Sequence, residues 1–228
     1  GAGLGRGQAA ETRASVVNGA ANQANIGAIF GASGSGKSSL QKLELLEVRP
    51  PRLMIWDPKR EYQAFGRPVA DLEQLVRGAL AGGPFTLVFT PQRSRAAMRK
   101  QFDVFCKVAD KAGRCWVIAD ELADVTEPGW APEGWEMLSR QGRHAGLTIR
   151  GLSQRPADID KSFYGNATHI AVFRMNAEGD VDRMAKLLGV DRRDVQALRP
   201  LEWIQRDMLT GDLSPKKSLT EADIARLP

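Results

Sequence analysis

GASGSGKS, at positions 31–38, is the stretch on which the reading of this chain turns. It fits the pattern G-x-x-x-x-G-K-[ST] with no mismatch. NIGAIF (Asn25–Phe30), just before it, reads as a short buried strand, and a helical pattern follows over residues 37–47. Strand, glycine-rich loop and helix are the context this pattern requires. Gly31, Gly34 and Gly36 let the backbone curl closely, and successive N–H groups with the helix N-terminus form a cradle for anionic oxygens. Ala32, Ser33, Ser35 and Ser39 complete the candidate nucleotide-binding stretch. Lys37 is the residue to reach β- and γ-phosphates, and the Ser38 hydroxyl is a candidate ligand for Mg²⁺.

Working outward, Pro50 and Pro51 end the first helix, and RLMIW (Arg52–Trp56) gives a second strand. A helix is expected over Leu72–Leu80, stopped by Gly82, Gly83 and Pro84. FTLVF (Phe85–Phe89) is the third strand. A long helix over 95–111 places Met98, Phe102, Phe105, Val108 and Ala109 at helical spacing. CWVIA at 115–119, TIRGL at 148–152 and HIAVF (His169–Phe173) follow as strands, with a helix over 134–144 between the first two. Short helices are expected at 181–188 and 192–198, and a terminal strand or hairpin at 202–208. Strands of five or six residues alternating with helical patterns indicate a three-layer α/β fold. Its sheet is mostly parallel and covered on both faces. We expect a Gly-, Ala-, Asn- and Gln-rich N-terminal arm over 1–24, one domain over 25–210 and a C-terminal surface tail over 211–228.

Composition excludes several classes. Of 228 residues, 43% are hydrophobic and 26% charged, which excludes disorder throughout. No stretch approaches the roughly 20 apolar residues needed to cross a bilayer, so the chain is not expected to be an integral membrane protein. The two cysteines, Cys106 and Cys115, are too few for a disulfide scaffold and read as reduced core residues. The two histidines read as a surface residue, His144, and a core residue, His169. Net charge is +5, and 10 of the 32 basic residues are Lys, the rest Arg. A surplus of that size fits solubility as well as it fits a nucleic-acid partner.

The second chemical cluster is WVIADE at 116–121, where an apolar strand delivers Asp120 and Glu121 to its C-terminal end. Asp120 is a candidate for holding Mg²⁺ through water. Glu121 is a candidate base for the attacking water, the signal that separates hydrolysis from binding alone. At the next strand end, LSQRP (152–156), Gln154 is placed to meet a terminal phosphate or that water, with a helix cap or turn as the bland alternative. WDPKREY (56–62) brings Asp57 and Lys59 to the end of the second strand. Asp57 is a possible supporting residue there, and a simple turn at Asp57–Pro58 is equally consistent. The segment 140–155 holds Arg140, Arg143, Arg150 and Arg155 without an acidic residue. It reads as an arginine finger offered across a subunit interface, or as a solvated basic face. A second basic run, Arg93, Arg95, Arg99, Lys100, Lys107, Lys111 and Arg114, faces only Asp103 and Asp110 locally. It suits a nucleic-acid backbone or a neighbouring subunit.

Together GASGSGKSS, WDPKREY, VIADE and RQGRHAGLTIRGLSQRPADI resemble the HerA/FtsK superfamily of P-loop DNA-pumping ATPases. The compact length is similar to that of the small genome-packaging ATPases of tailless, membrane-containing phages. The resemblance implies a RecA-like sheet of the additional-strand, catalytic-glutamate (ASCE) type and a homo-oligomeric ring, generally a hexamer. It implies ATP and Mg²⁺ as nucleotide and cofactor and double-stranded DNA, without sequence specificity, as partner. Carried over by position, Lys37 and Ser38 match Walker A, Asp120 and Glu121 match Walker B, and Gln154 matches the polar sensor. Arg143 matches the trans finger, with Arg140 as runner-up. A capsid or portal-vertex partner, and a place in the host cytoplasm or at the packaging vertex, follow from the same resemblance. A helicase, a conjugative or other DNA-transfer ATPase, and a module that binds ATP only to assemble remain the alternatives. A small-molecule kinase fits less well, because Glu121 supplies a water-activating carboxylate. No Asn-Lys-x-Asp guanine-reading motif occurs.

Overall fold

A computed structural model describes residues 25–142 and 144–228. The N-terminal arm expected over 1–24, and Arg143, lie outside the described residues. In chain order the strands are β1 (Asn25–Phe30), β2 (Arg52–Trp56), β3 (Arg67–Val69), β4 (Phe85–Phe89), β5 (Trp116–Ala119), β6 (Thr148–Ser153), β7 (His169–Phe173), β8 (Glu202–Asp207) and β9 (Lys217–Ser218). The helices are α1 (Lys37–Val48), α2 (Leu72–Leu80), α3 (Arg95–Ala112), α4 (Glu133–Gln141), α5 (Lys161–Gly165), α6 (Glu178–Leu188), α7 (Arg192–Gln196) and α8 (Glu221–Ala225).

Among the described residues the strands form one sheet in the order β3-β4-β2-β5-β6-β1-β7-β8-β9. The first seven in that order pair in parallel, and β8 and β9 add antiparallel. One strand, β6, lies between the loop-bearing β1 and the carboxylate-bearing β5. This is a RecA-like ASCE arrangement with a mixed, mostly parallel sheet between helical layers.

Side-chain alternation divides the strands between two cores. Ala28, Phe30, Met54, Trp56, Val117 and Ala119 face one side, where residues of α2 through α7 cover them. Trp56 is the hub of an aromatic cluster there, with ring centroids 4.9 Å from Phe102, 5.5 Å from Phe89 and 5.7 Å from Phe105. Trp135 of α4 continues the cluster by contact with Phe102 and Phe163, so that residue belongs to the core. Ile29, Leu53, Ile55, Ile118 and Leu152 face the other side. That side has a thinner cover, built from Leu43 and Leu45 of α1, Tyr62 and Leu219. Leu219 connects β9 to α8, and Thr220 and Asp223 form a reciprocal capping box at the start of α8. Residues 211–228, expected as a surface tail, thus lay an apolar side chain against the sheet.

Two edges of the expected pattern moved for local reasons. The helix expected over 134–144 stops at Gln141, because Leu147 N–H closes onto Gly142 O at 3.0 Å and Gly146 turns with φ 67°. The edge strand β3 escaped the pattern because only one of its three residues, Val69, is buried. Both cysteines are free and buried as expected, and burial pushes the Cys115 thiol up to about 12. Among the described residues no helix is long and apolar enough to cross a membrane.

The 140–155 arginines divide sharply here. Arg150 points from β6 to the thin side and is buried, with its guanidinium on the Glu44 carboxylate of α1. Nη2 lies 2.6 Å from Oε1 and Nε 3.0 Å from Oε2, while Nη1 donates to Asn25 Oδ1 at 2.9 Å. Arg155 donates to the buried Asp180 at 2.8 Å. Arg150 is buried, and Arg155, although its side chain is 52% exposed, is paired within the chain, so the four-arginine run is not one outward-facing surface. The long-helix run is also less open than its local sequence implies. Glu127 takes Arg95 and Arg99, and Glu133 takes Lys107. Removing one partner of the buried Arg150–Glu44 pair leaves the other charge uncompensated, which costs about 3 kcal/mol. Arg150→Ala should therefore lower the urea midpoint at unchanged slope; an unshifted midpoint would show that α1 is held by its apolar contacts alone.

Candidate active site

The loop between β1 and α1 is shaped by its glycines. Gly36 sits at the N-cap of α1 with φ 110°, and a Cβ there would meet Leu201 and Phe173 at 3.1 Å. At Gly31 a Cβ would lie 2.6 Å from both Phe173 Cβ and Ser35 Oγ. At Gly31 a larger residue would force its neighbours to shift, and at Gly36 it would be strained by the positive φ while crowding side-chain tips. The loop is anchored from behind by Ala32 N–H on Arg174 O at 2.8 Å and by Leu201 N–H on Ser35 O at 2.9 Å. Leu201 makes that second bond from a left-handed conformation, φ 68°, which for a non-glycine residue costs of order 1–3 kcal/mol.

Lys37 is buried, and its ammonium donates to Gly31 O at 2.7 Å and Ala32 O at 3.0 Å. Burial lowers its pKa against the opposing pull of Glu121 and Asp120. Those carboxylates reach the loop because β5 ends one strand away, with β6 between. Asp120 is 4% exposed and accepts from Glu121 N–H at 3.0 Å. Burial, with the charges of Glu121 and Glu61, pushes its carboxyl up to about 7. Among the described residues no cation forms an ion pair with it. Glu121 takes a left-handed backbone, φ 55° and ψ 60°, at the turn out of β5. Burial raises its pKa, but Lys59 and Gln154 outweigh that and hold it below the usual carboxylate range. Gln154 Nε2 donates to Glu121 Oε2 at 2.9 Å, and the Lys59 ammonium pairs with the same oxygen.

The other sequence candidates separate by role. Asp57 is fully buried and accepts from Glu61 N–H at 2.8 Å, Tyr62 N–H at 2.9 Å and Gln63 Nε2 at 2.9 Å. It organises the loop after β2, in the manner of a turn. Ser153 Oγ donates to Arg155 O at 3.1 Å, also a local turn bond. Arg140 is exposed in the last turn of α4. Arg143, the first finger candidate, lies outside the described residues. Tyr62 joins the site although nothing in its sequence position singles it out. Its phenol is buried near Asp120 and Ser38, and burial, with the Asp120 charge, raises its pKa well above normal.

Mg²⁺ and a nucleotide triphosphate fit this set of groups. A Cβ has no room at Gly31, and among the described residues Ser35 Oγ is buried without a hydrogen-bond partner and the buried Asp120 carboxylate forms no ion pair. Ser38 and Asp120 offer the hard oxygen donors that Mg²⁺ prefers.

Fold and loop together define a P-loop NTPase of the RecA-like ASCE class. No family model matches the chain. Among curated proteins it is similar to Protein P9 of Pseudoalteromonas phage PM2. They are 27% identical over 200 residues, covering 84% of this chain and 89% of that protein. Among solved structures it is similar to the genome packaging NTPase B204 of Sulfolobus turreted icosahedral virus 2 in complex with ATP-gammaS. That match has a TM-score of 0.71 at 20% identity and covers 86% of this chain and 98% of the other. VirB4 of Thermoanaerobacter pseudethanolicus superposes with a TM-score of 0.64 at 12% identity, covering 92% and 93%. The likeness to both solved structures is one of fold.

Gly36→Ala tests the cradle. Backbone strain of order 1–3 kcal/mol at that position corresponds to a loss of about 5- to 150-fold in affinity. Titration with a fluorescent ATP analogue should show that loss with the fold intact by circular dichroism. Undiminished affinity would place nucleotide elsewhere.

Proposed function

We propose that this chain is an ATPase that drives translocation of double-stranded DNA, and that its task is packaging a viral genome. One observation carries the hydrolytic part of this reading. Glu121, the loop lysine Lys37 and Gln154 converge at one edge of the sheet from three neighbouring strands. A site built only to bind nucleotide has no need of a buried carboxylate held ionised beside the terminal phosphates. The similarity to a phage protein and to a structure described as a genome packaging NTPase supports the viral task.

The chain's own residues take distinct parts in this proposal. Backbone N–H groups of residues 31–38 and the Lys37 ammonium hold the phosphates. Ser38 and Asp120 are the residues to hold Mg²⁺, which when bound offsets the charge of the β- and γ-phosphates. Glu121 takes a proton from water as its oxygen attacks the γ-phosphorus and the bond to the leaving ADP oxygen breaks. Gln154 hydrogen-bonds Glu121 from the next strand end, so it is the residue to report nucleotide state. A trans-acting arginine, Arg143 or else the exposed Arg140, is assigned to the γ-phosphate of a neighbouring subunit in a homo-oligomeric ring, taken as a hexamer. The duplex is gripped through its backbone, since a packaging motor must move any sequence. A capsid or portal-vertex protein is the docking partner, at the packaging vertex or in the host cytoplasm.

The test couples turnover to movement. Long duplex DNA should stimulate ATP hydrolysis by the assembled protein, and a triplex-forming oligonucleotide on that duplex should be displaced without strand separation. Robust unwinding instead would identify a helicase. ATP-dependent assembly with neither turnover nor displacement would identify an interaction module.

A further inference from the structure

Lys59 lies on the loop that follows β2, and nothing in the proposed cycle uses it. A lysine paired with a carboxylate at the protein surface ordinarily contributes little, because water screens the pair and the long side chain loses freedom. Three features set this pair apart. The Lys59 side chain is 43% exposed, but its partner Glu121 is only 11% exposed. The loop that carries it is fixed through the buried Asp57 carboxylate, which accepts from two backbone N–H groups and the Gln63 side chain. Finally, Lys59 shares its acceptor with another donor: its ammonium and the Gln154 amide both meet Glu121 Oε2.

Strand order explains the geometry. β5 pairs with β2 on one side and β6 on the other, so the Lys59 loop and Gln154 approach Glu121 from opposite flanks. Two donors on one oxygen fix the carboxylate plane. Among the described residues, nothing hydrogen-bonds to the second oxygen, Oε1. A carboxylate held in this way presents one defined oxygen to water.

We propose that Lys59 is a positioning residue for hydrolysis. With Gln154 it clamps Glu121 Oε2, so that Oε1 is the oxygen that receives the proton of the attacking water. This rests on Glu121 being the base. The competing role for a lysine at this edge is phosphate binding, which would show in nucleotide affinity and not in turnover of bound nucleotide.

Lys59→Met and Lys59→Arg, each made alone and in a Glu121→Gln background, separate these roles in the full-length protein with DNA present. Turnover of radiolabelled ATP and equilibrium ATP binding are both measured. Misplacement of a reacting group by about 1 Å costs on the order of 100-fold, so Lys59→Met should lower kcat by about 10- to 100-fold. Binding and KM should stay within about twofold, the signature of an interaction that acts on the chemical step. Lys59→Arg should recover most of the loss, and Lys59→Met should cause no further fall once Glu121 is Gln. An unchanged or raised kcat, a proportional loss of ATP affinity, or an equal fall in both backgrounds would overturn the proposal. Normal turnover by Glu121→Gln would remove the base assignment and this role with it. A Glu121→Gln defect beside normal Lys59→Met turnover would remove this role alone.

Discussion

Two adjacent carboxylates at the end of one buried strand are the constraint around which this molecule is arranged. Burial disfavours both charges, and each resolves the conflict differently. Glu121 is held ionised by Lys59 from one side and Gln154 from the other. Asp120 accepts one backbone N–H, and its carboxyl is pushed up to about 7, so a cation beside it would be stabilised. This difference between neighbours needs β2 and β5 to end in register, Trp56 opposite Ala119, with β6 running two residues further to Ser153. It also needs Glu121 to turn out of the strand through a left-handed conformation. A register slip of one residue in β5 would send Asp120 to the opposite face and undo both.

The opposite end of the site depends on the thin face of the sheet. α1 begins at the phosphate loop, and Arg150 grips its Glu44 while Leu43 and Leu45 supply apolar cover. The C-terminal segment reinforces the same region. Leu201 hydrogen-bonds Ser35, Leu219 N–H bonds Leu201 O at 3.0 Å, and Leu201 and Leu219 both crowd Gly36. The phosphate loop is therefore packed from behind by residues far away in sequence. Any movement of the segment around Leu201 and Leu219 is coupled to it by direct contact.

Much of this was legible in the residues. The loop motif, six parallel strands and the Asp120–Glu121 pair follow from spacing and apolar runs, because those strands are buried on both faces and leave continuous hydrophobic signatures. Gln154 followed from its place one residue beyond a strand. Other features leave no such signature. β3 has a single buried residue, and β9 has two residues, neither of them buried. Arg140 sits exposed in the last turn of α4, whereas Arg150 lies on β6 and is locked on Glu44, a partner 106 residues away that local sequence does not reveal. Glu127 and Glu133 answer a basic run more than twenty residues upstream, a pairing that the packing of the β5–α4 connection on α3 creates. The reading of WDPKREY placed Lys59 at the end of the second strand but not its pairing with Glu121, and Tyr62 is brought to the site by a loop whose shape depends on Asp57.

The proposed hydrolysis requires the carboxylates at the end of β5 to face the terminal phosphates of a nucleotide held by residues 31–38. A crystal structure of the protein with Mg²⁺ and a non-hydrolysable ATP analogue tests it most directly. The β- and γ-phosphates should lie on the loop amides and Lys37 Nζ, with the cation beside Ser38 and Asp120 and Glu121 facing the γ-phosphate. Nucleotide bound away from residues 31–38, or Glu121 turned from the γ-phosphate with another residue contacting the water, would contradict it.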